Sequence, residues 1–181
     1  MNASVVSQFQ ADSANLGDES MISMIIDKLY DKMLDDYRIN RFFFTRPASE
    51  QSTALKQLIS VIAHHPASTS ADVAALLEEY FSVAFARTNA KPSLVNNRDF
   101  AFLLDIVGGQ EIREITLLCP AHSFLMKLLP EDFHYDVVME HLADCLNESG
   151  IDGDLAARIM AFAESGRDGV LGRGTALLQA A

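Results

Sequence analysis

Residues 105–125, DIVGGQEIREITLLCPAHSFL, contain two adjacent glycines and, thirteen residues after the second, a single histidine, His122. Pro120 disfavours a helix that runs through it but suits the first turn of a new one, so His122 is predicted early in a short helix. Gly108 or Gly109 can take the left-handed conformation that ends a preceding helix. Since apolar residues surround the imidazole, two interpretations stand: a tolerated helical residue, or a ligand directed at a group held in the core.

The composition indicates one folded domain of 181 residues, 1–181, in which 49% of the residues are hydrophobic. The formal net charge of −11 disfavours nucleic acid and anionic membranes as partners. No signal-peptide pattern opens the chain, and no apolar run approaches the ~20 residues of a membrane span. Cys119 and Cys145 lack metal-binding or redox spacing. We therefore expect reduced thiols and a cytoplasmic location.

Apolar residues at steps of three and four predict an all-α fold. The predicted helices cover 20–36, 49 to the HHP at 64–66, a segment capped by Ser70 or Asp72, 93–107, a short segment after Pro120, 130 to 147–150, and 152 towards 170. The segment RFFFTRP (41–47) is predicted to form a helical corner that Pro47 ends. No segment shows the alternating pattern of a strand.

Few residues point to chemistry by motif, because the chain lacks the sequence signatures of nucleotide-binding sites, hydrolases and zinc proteases. His64 and His65 diverge by about 100° on a helix, so they are predicted to be exposed helix-end residues. His141 is predicted to be a partly buried, hydrogen-bonded histidine. An apolar helical core that contains a neutral histidine, phenylalanines and an inward tyrosine can, however, hold an iron porphyrin. His122 and Tyr30 are the candidates for such a site.

Two blocks of the chain resemble a known family. The first is LGDESMISMIIDKLYDKMLDDYRINRFF (16–43). The second comprises FLLDIVGGQEIREITLLCPAH (102–122) and FHYDVVMEHLADCLNESGID (133–152). They resemble the glycine-opened helix, the Phe-Phe corner and the proximal-histidine region of the truncated haemoglobins, most closely group I. The resemblance implies a globin-like, two-over-two helical sandwich.

The same resemblance implies a haem b site. His122 would be the proximal iron ligand, Tyr30 the distal tyrosine that donates to a bound gas, and Phe43 the residue that wedges the porphyrin. The residues that the resemblance assigns to the haem pocket are Tyr30, Phe42, Phe43, Val95, Phe102, Leu103, Phe124, Leu125 and Val137. The implied activity is reversible binding of dioxygen, nitric oxide or carbon monoxide, with nitric oxide detoxification by a dioxygenase-type reaction as a possible enzymatic extension.

Two segments compete for the role of distal helix, 51–66 and 93–109. The two alignments differ by 44 residues, the separation of His64 and Gly108. The second alignment is preferred because it keeps the glycine pair and its spacing to the histidine. It makes 47–90 an inserted helical hairpin and directs Val95, Asp99, Phe102 and Leu103 at the distal pocket. The first alignment would direct Gln51, Leu55 and Leu58 there instead.

A second functional hypothesis belongs to another class: a haem-free globin-fold module with a regulatory or protein-interaction role. It is motivated by the inserted hairpin at 47–90, which could fill or cap the pocket. An apolar face on 73–85, if exposed, would also favour a homodimer.

Overall fold

A computed structural model describes residues 19–43, 46–64, 69–86, 115–151 and 153–173. Its helices are α1 (Glu19–Asp35), α2 (Ala48–His64), α3 (Ser70–Phe85), α4 (His122–Met126), α5 (Asp132–Glu148), α6 (Gly153–Glu164) and α7 (Arg167–Val170), with a 3₁₀ turn at Asn40–Phe42. These ranges contain helices and no strand, which confirms the all-α prediction. Across the same ranges, no helix combines the length and apolar character needed to cross a membrane. The helix predicted over 93–107 lies outside the described residues.

The start of α3 differs from the prediction. Thr69 is the N-cap, so the assignment of that role to Ser70 or Asp72 is wrong. The Thr69 hydroxyl accepts a hydrogen bond from the backbone N–H of Asp72, and the Asp72 carboxylate accepts one from the backbone N–H of Thr69. The capping residue must keep an extended backbone just outside the helix, and its partner lies three residues later. Thr69 and Asp72 satisfy both conditions.

The core forms where α1 packs against α2 and α5, α2 against α3, α3 against α4, and α5 against α6. The inward face of α1 is the predicted apolar stripe: Ile22, Ile25, Ile26, Leu29 and Met33, all buried. Phe81, Ala84 and Phe85 of α3 belong to the same core cluster, and Leu55 and Ile59 of α2 pack against it. Both helices of the segment predicted as a hairpin insertion therefore contribute to the main core, and α3 lies next to the helix that carries His122.

Candidate functional site

Tyr30, Phe43 and His122 lie in one buried core. Their rings are connected through two phenylalanines of α3. The ring centroids of Tyr30 and Phe43 are 5.9 Å apart, and those of Phe43 and Phe85 are 5.6 Å apart. From Phe85 the contact continues to Phe81 at 5.5 Å and from Phe81 to His122 at 4.7 Å. The three residues given central roles by the resemblance are thus in one cluster, with α3 side chains between the histidine and the other two.

Both ring nitrogens of His122 form hydrogen bonds with the backbone. The imidazole is 0% exposed. The backbone N–H of Leu118 donates to Nδ1 at 3.1 Å, and Nε2 lies 2.7 Å from the carbonyl oxygen of Val170. Since one partner is a donor and the other an acceptor, the neutral tautomer with its proton on Nε2 satisfies both. No lone pair of this ring is left for a metal ion in this arrangement.

The surroundings of His122 favour the neutral imidazole. Burial lowers its pKa because the charged form loses solvation, while the hydrogen bond to the carbonyl of Val170 acts in the opposite direction. Protonation at Nδ1 would also direct one N–H at another, that of Leu118. The histidine is therefore held in one tautomer by two backbone groups and by burial.

Helix α3 covers one face of the imidazole. The Phe81 ring is buried and is tilted by 45° relative to the His122 ring. One turn earlier on α3, the Glu78 carboxylate accepts a hydrogen bond of 3.0 Å from the backbone N–H of Ala121. This bond ties α3 to the residue just before α4. The Phe81–His122 contact is consequently supported by a polar link as well as by packing.

The Tyr30 hydroxyl also has a partner within the chain. It donates to the hydroxyl of Tyr80 at 3.2 Å, and the Tyr30 side chain is almost fully buried. Desolvation by burial, with the neighbouring Tyr80, raises the pKa of Tyr30 well above its usual value. Tyr30 is a neutral donor in the core, as the resemblance requires of a distal tyrosine, and its proton is directed at Tyr80.

Phe42 and Phe43, two of the three phenylalanines of the corner, make different ring contacts. Phe43 packs edge-on against Tyr30, with an interplanar angle of 83°, and belongs to the aromatic core. Phe42 instead contacts the His134 ring at 4.9 Å and lies under the Arg41 guanidinium at 5.0 Å. Phe42 is buried in the same core, but of these two residues it is Phe43 that takes part in the series of ring contacts leading to His122.

The remaining residues assigned to the pocket are divided between core, surface and undescribed segments. Leu125 and Val137 are buried in the main core. Phe124 is 37% exposed, with the Lys127 ammonium 5.3 Å from its ring centroid. Val95, Phe102 and Leu103, together with Asp99, lie outside the described residues. The preferred distal helix, 93–109, therefore remains a prediction.

The competing distal segment is α2, whose inward side chains are described. Gln51 is buried, and its amide nitrogen donates to the carbonyl oxygens of Phe43 and Arg46, both at 2.7 Å. Leu58 is buried and Leu55 is half-buried against the same core. These two hydrogen bonds hold the segment between Phe43 and α2 in place. They use both donor hydrogens of the Gln51 amide.

His141 has the predicted partly buried, hydrogen-bonded environment. Its Nε2 is 2.8 Å from Oδ2 of Asp36, and the two side chains are 12% and 10% exposed. The same carboxylate binds the Arg38 guanidinium at 2.6 Å. Arg38, and secondarily His141, hold the pKa of Asp36 well below its usual range. This prediction is confirmed. His64, described at the end of α2, is exposed as predicted.

A haem does not fit the described residues as they are arranged. An axial ligand needs a free imidazole lone pair, whereas both His122 nitrogens are hydrogen-bonded. A porphyrin also needs a cavity, whereas Phe81 and Phe85 occupy the space between His122 and Phe43. Two surface cavities of about 420 and 590 Å³ open along α2 and α3, and none of the three residues lines them. Among the described residues, no cluster of side chains suits a metal ion.

Sequence reasoning did not find the residues that contact His122. Phe81 lies within the apolar face noted on 73–85, but helical periodicity gives a face and not the element packed against it. Val170 contributes only its carbonyl oxygen, a group that every residue carries, so the sequence contains no signal for that bond. The sequence shows Glu78 as a carboxylate next to the apolar face of α3, but it does not indicate that Ala121 is its partner.

Comparisons with known proteins give no match: no protein-family model, curated protein or solved structure is significantly similar to the chain.

Proposed function

We propose that this protein is a haem-free, globin-like helical module that acts through its surface in a regulatory or protein-interaction role. The proposal rests on the hydrogen bonds and the packing of the His122 imidazole. Its Nδ1 accepts a hydrogen bond from the backbone N–H of Leu118, and its Nε2 donates one to the carbonyl oxygen of Val170. The Phe81 ring packs against the face of the imidazole. A histidine used in this way stabilises the core and has no free ligand atom.

The aromatic interior of α3 supports the same proposal. In a haem protein, the cofactor itself supplies the apolar surface on which the surrounding helices pack. Here Phe81 and Phe85 supply that surface, and the Tyr30 hydroxyl donates its hydrogen bond to Tyr80. This packing between Tyr30 and His122 supports a core that forms from the chain's own side chains.

Exposed apolar side chains favour a role at the surface. Leu129, in the connection between α4 and α5, is 73% exposed, and Phe133, in the first turn of α5, is 53% exposed. Leu129 also has a φ of 53°, in the left-handed region that costs a branched side chain about 1–2 kcal/mol. Since so exposed a leucine contributes little to the core, this connection is the first place to look for a contact with a partner.

Haem binding is the competing proposal, supported by the resemblance and by the presence of Tyr30, Phe43 and His122 in one core. It requires the bond between His122 Nε2 and Val170 to break and Phe81 to leave the imidazole face. Binding of dioxygen, nitric oxide or carbon monoxide, nitric oxide detoxification, a homodimer and a cytoplasmic location remain predictions.

A haemin titration separates the two proposals. Purified protein, His122→Ala and the matched histidine variant His141→Ala are titrated with haemin and followed by visible absorption. The haem-free proposal predicts no saturable Soret band at one equivalent, and no carbonyl form after reduction under carbon monoxide. A stoichiometric Soret band that His122→Ala abolishes and His141→Ala preserves would contradict it and establish His122 as the iron ligand.

A further inference from the structure

The segment 167–173, which comprises α7 and the three residues after it, closes over His122. The carbonyl oxygen of Val170 accepts the 2.7 Å hydrogen bond from Nε2 of His122. Two residues later, the carbonyl oxygen of Gly172 accepts a bond of 3.0 Å from the backbone N–H of Thr116. These bonds join the segment, which we call the strap, to the chain on either side of Pro120.

The strap is also held by ion pairs on its outer side. The Arg173 guanidinium binds the two carboxylate oxygens of Asp132 at 2.6 and 2.7 Å. The Arg167 guanidinium pairs with Asp136 at 2.8 Å and with Glu164 at 2.6 Å. The side chains of these pairs are partly exposed, so the attractions are modest individually and weaken as salt rises.

Close backbone packing completes the contact. Gly172 has a φ of +68°, and a Cβ atom built on it would lie 2.8 Å from Ile115 Cγ2 and 2.9 Å from Met126 Sδ. Gly169 leaves room for Leu118, whose Cδ2 would lie 3.3 Å from a Cβ there. Glycine at these two positions therefore lets the strap backbone lie close to the side chains of Ile115, Leu118 and Met126.

We propose that the strap is a releasable cover that controls access to Nε2 of His122. When closed, it occupies that nitrogen through Val170 and holds the neutral tautomer. When the ion pairs of Arg167 and Arg173 are lost, the strap opens as a local unit and exposes Nε2 to water. Exchange of its proton through water to Nδ1, which gives up the hydrogen bond from the Leu118 N–H, then leaves a lone pair on Nε2 that can attack an electrophile. This inference does not depend on whether haem binds, because it concerns reactivity of the protein alone.

Chemical modification of the histidines tests the strap. Diethyl pyrocarbonate acylates unprotonated imidazole nitrogens, and peptide mapping by mass spectrometry gives a rate for each histidine. In the unmodified protein, His122 should react far more slowly than the exposed His64. Arg173→Ala should raise the His122 rate about fivefold, the effect of losing one partly exposed ion pair within a network. Raised salt should also raise the His122 rate in the original protein, and by a smaller factor in Arg173→Ala, where only the ion pairs of Arg167 remain to be screened.

Two glycine variants test the strap without changing charge. Gly172→Ala introduces both the unfavourable left-handed backbone and the clash with Ile115, and should raise the His122 rate about tenfold or more. Gly150→Ala is the matched control, because Gly150 has a φ of +71° and nothing within 4 Å of an added Cβ. It should leave the His122 rate unchanged. Arg46→Ala, which removes the ion pair with Glu50, controls for loss of a surface charge.

Alkylation of the buried Cys145 thiol on α5 reports global unfolding in the same samples. Faster modification of His122 with unchanged alkylation of Cys145 would support a local opening. Equal modification rates for His122 and His64 in the original protein would overturn the proposal. So would an unchanged His122 rate in both Arg173→Ala and Gly172→Ala, or a rise that alkylation of Cys145 follows in parallel.

Discussion

His122 begins α4 and His141 lies on α5, and the environments of the two histidines differ in kind. His122 is bonded to two backbone groups and covered by Phe81, and the surrounding burial keeps it neutral. His141 is bonded to one carboxylate, that of Asp36, which Arg38 also holds. The comparison teaches that an apolar sequence context does not identify a ligand histidine. A histidine can serve as a ligand only if one of its ring nitrogens keeps a free lone pair after the chain has folded.

The largest expected effect on stability comes from removing the Phe81 ring, which packs against His122. Phe81→Ala should lower the free energy of unfolding by about 4 kcal/mol, because a buried phenylalanine leaves a cavity between α3 and α4. The matched variant Phe133→Ala, at a half-exposed position, should cost less than about 1 kcal/mol. Urea unfolding followed by circular dichroism measures both. Equal small losses would contradict the placement of Phe81 in the core.

The next effect separates the two histidines directly. His122→Ala should lower the free energy of unfolding by about 3 kcal/mol, because it removes a packed ring and leaves two buried backbone groups unpaired. His141→Ala should cost about 1 kcal/mol, since Asp36 keeps its bonds to Arg38. The comparison would fail if the two variants were equally stable in the same urea titration.

The pH dependence of stability provides a smaller effect. Burial lowers the folded-state pKa of His122 below its unfolded value of 6.5, so the unfolded state binds the proton more readily. Stability should therefore fall as pH decreases through about 6.5 towards the lower folded-state pKa.

The difference between the original protein and His122→Gln isolates this contribution. His134, whose pKa burial also lowers, is present in both proteins and cancels. Unfolding at a pH of about 7.5 and about 5.5 should show a larger loss on acidification in the original protein than in His122→Gln. Parallel losses would mean that His122 titrates equally in the folded and unfolded states.

The smallest expected effect on stability concerns the hydrogen bond between His141 and Asp36. A glutamine amide can still donate to Asp36, so His141→Gln should change the free energy of unfolding by less than about 0.5 kcal/mol. His122→Gln, by contrast, must accept from Leu118 and donate to Val170 with a flexible side chain and should be clearly less stable. Similar stabilities for the two glutamine variants would remove the distinction between a two-partner and a one-partner histidine.

Helix periodicity was sufficient to predict α1, α2, α3 and α5 within a few residues, because buried stripes repeat along each helix. It also predicted the inward orientation of Tyr30 and the partner-bonded state of His141. It could not predict that Phe81 covers His122 or that Val170 accepts its hydrogen. Those contacts depend on which helix faces pair and on a backbone carbonyl, and neither leaves a pattern in the sequence.

The most direct test of the central claim is the tautomer of His122, read by ¹⁵N NMR of protein labelled at histidine, with and without one equivalent of haemin. The account predicts a proton on Nε2, none on Nδ1, and no change in the His122 or His141 resonances when haemin is added. Loss or a large paramagnetic shift of the His122 resonance alone, with His141 unchanged, would contradict it and show that the buried histidine binds iron.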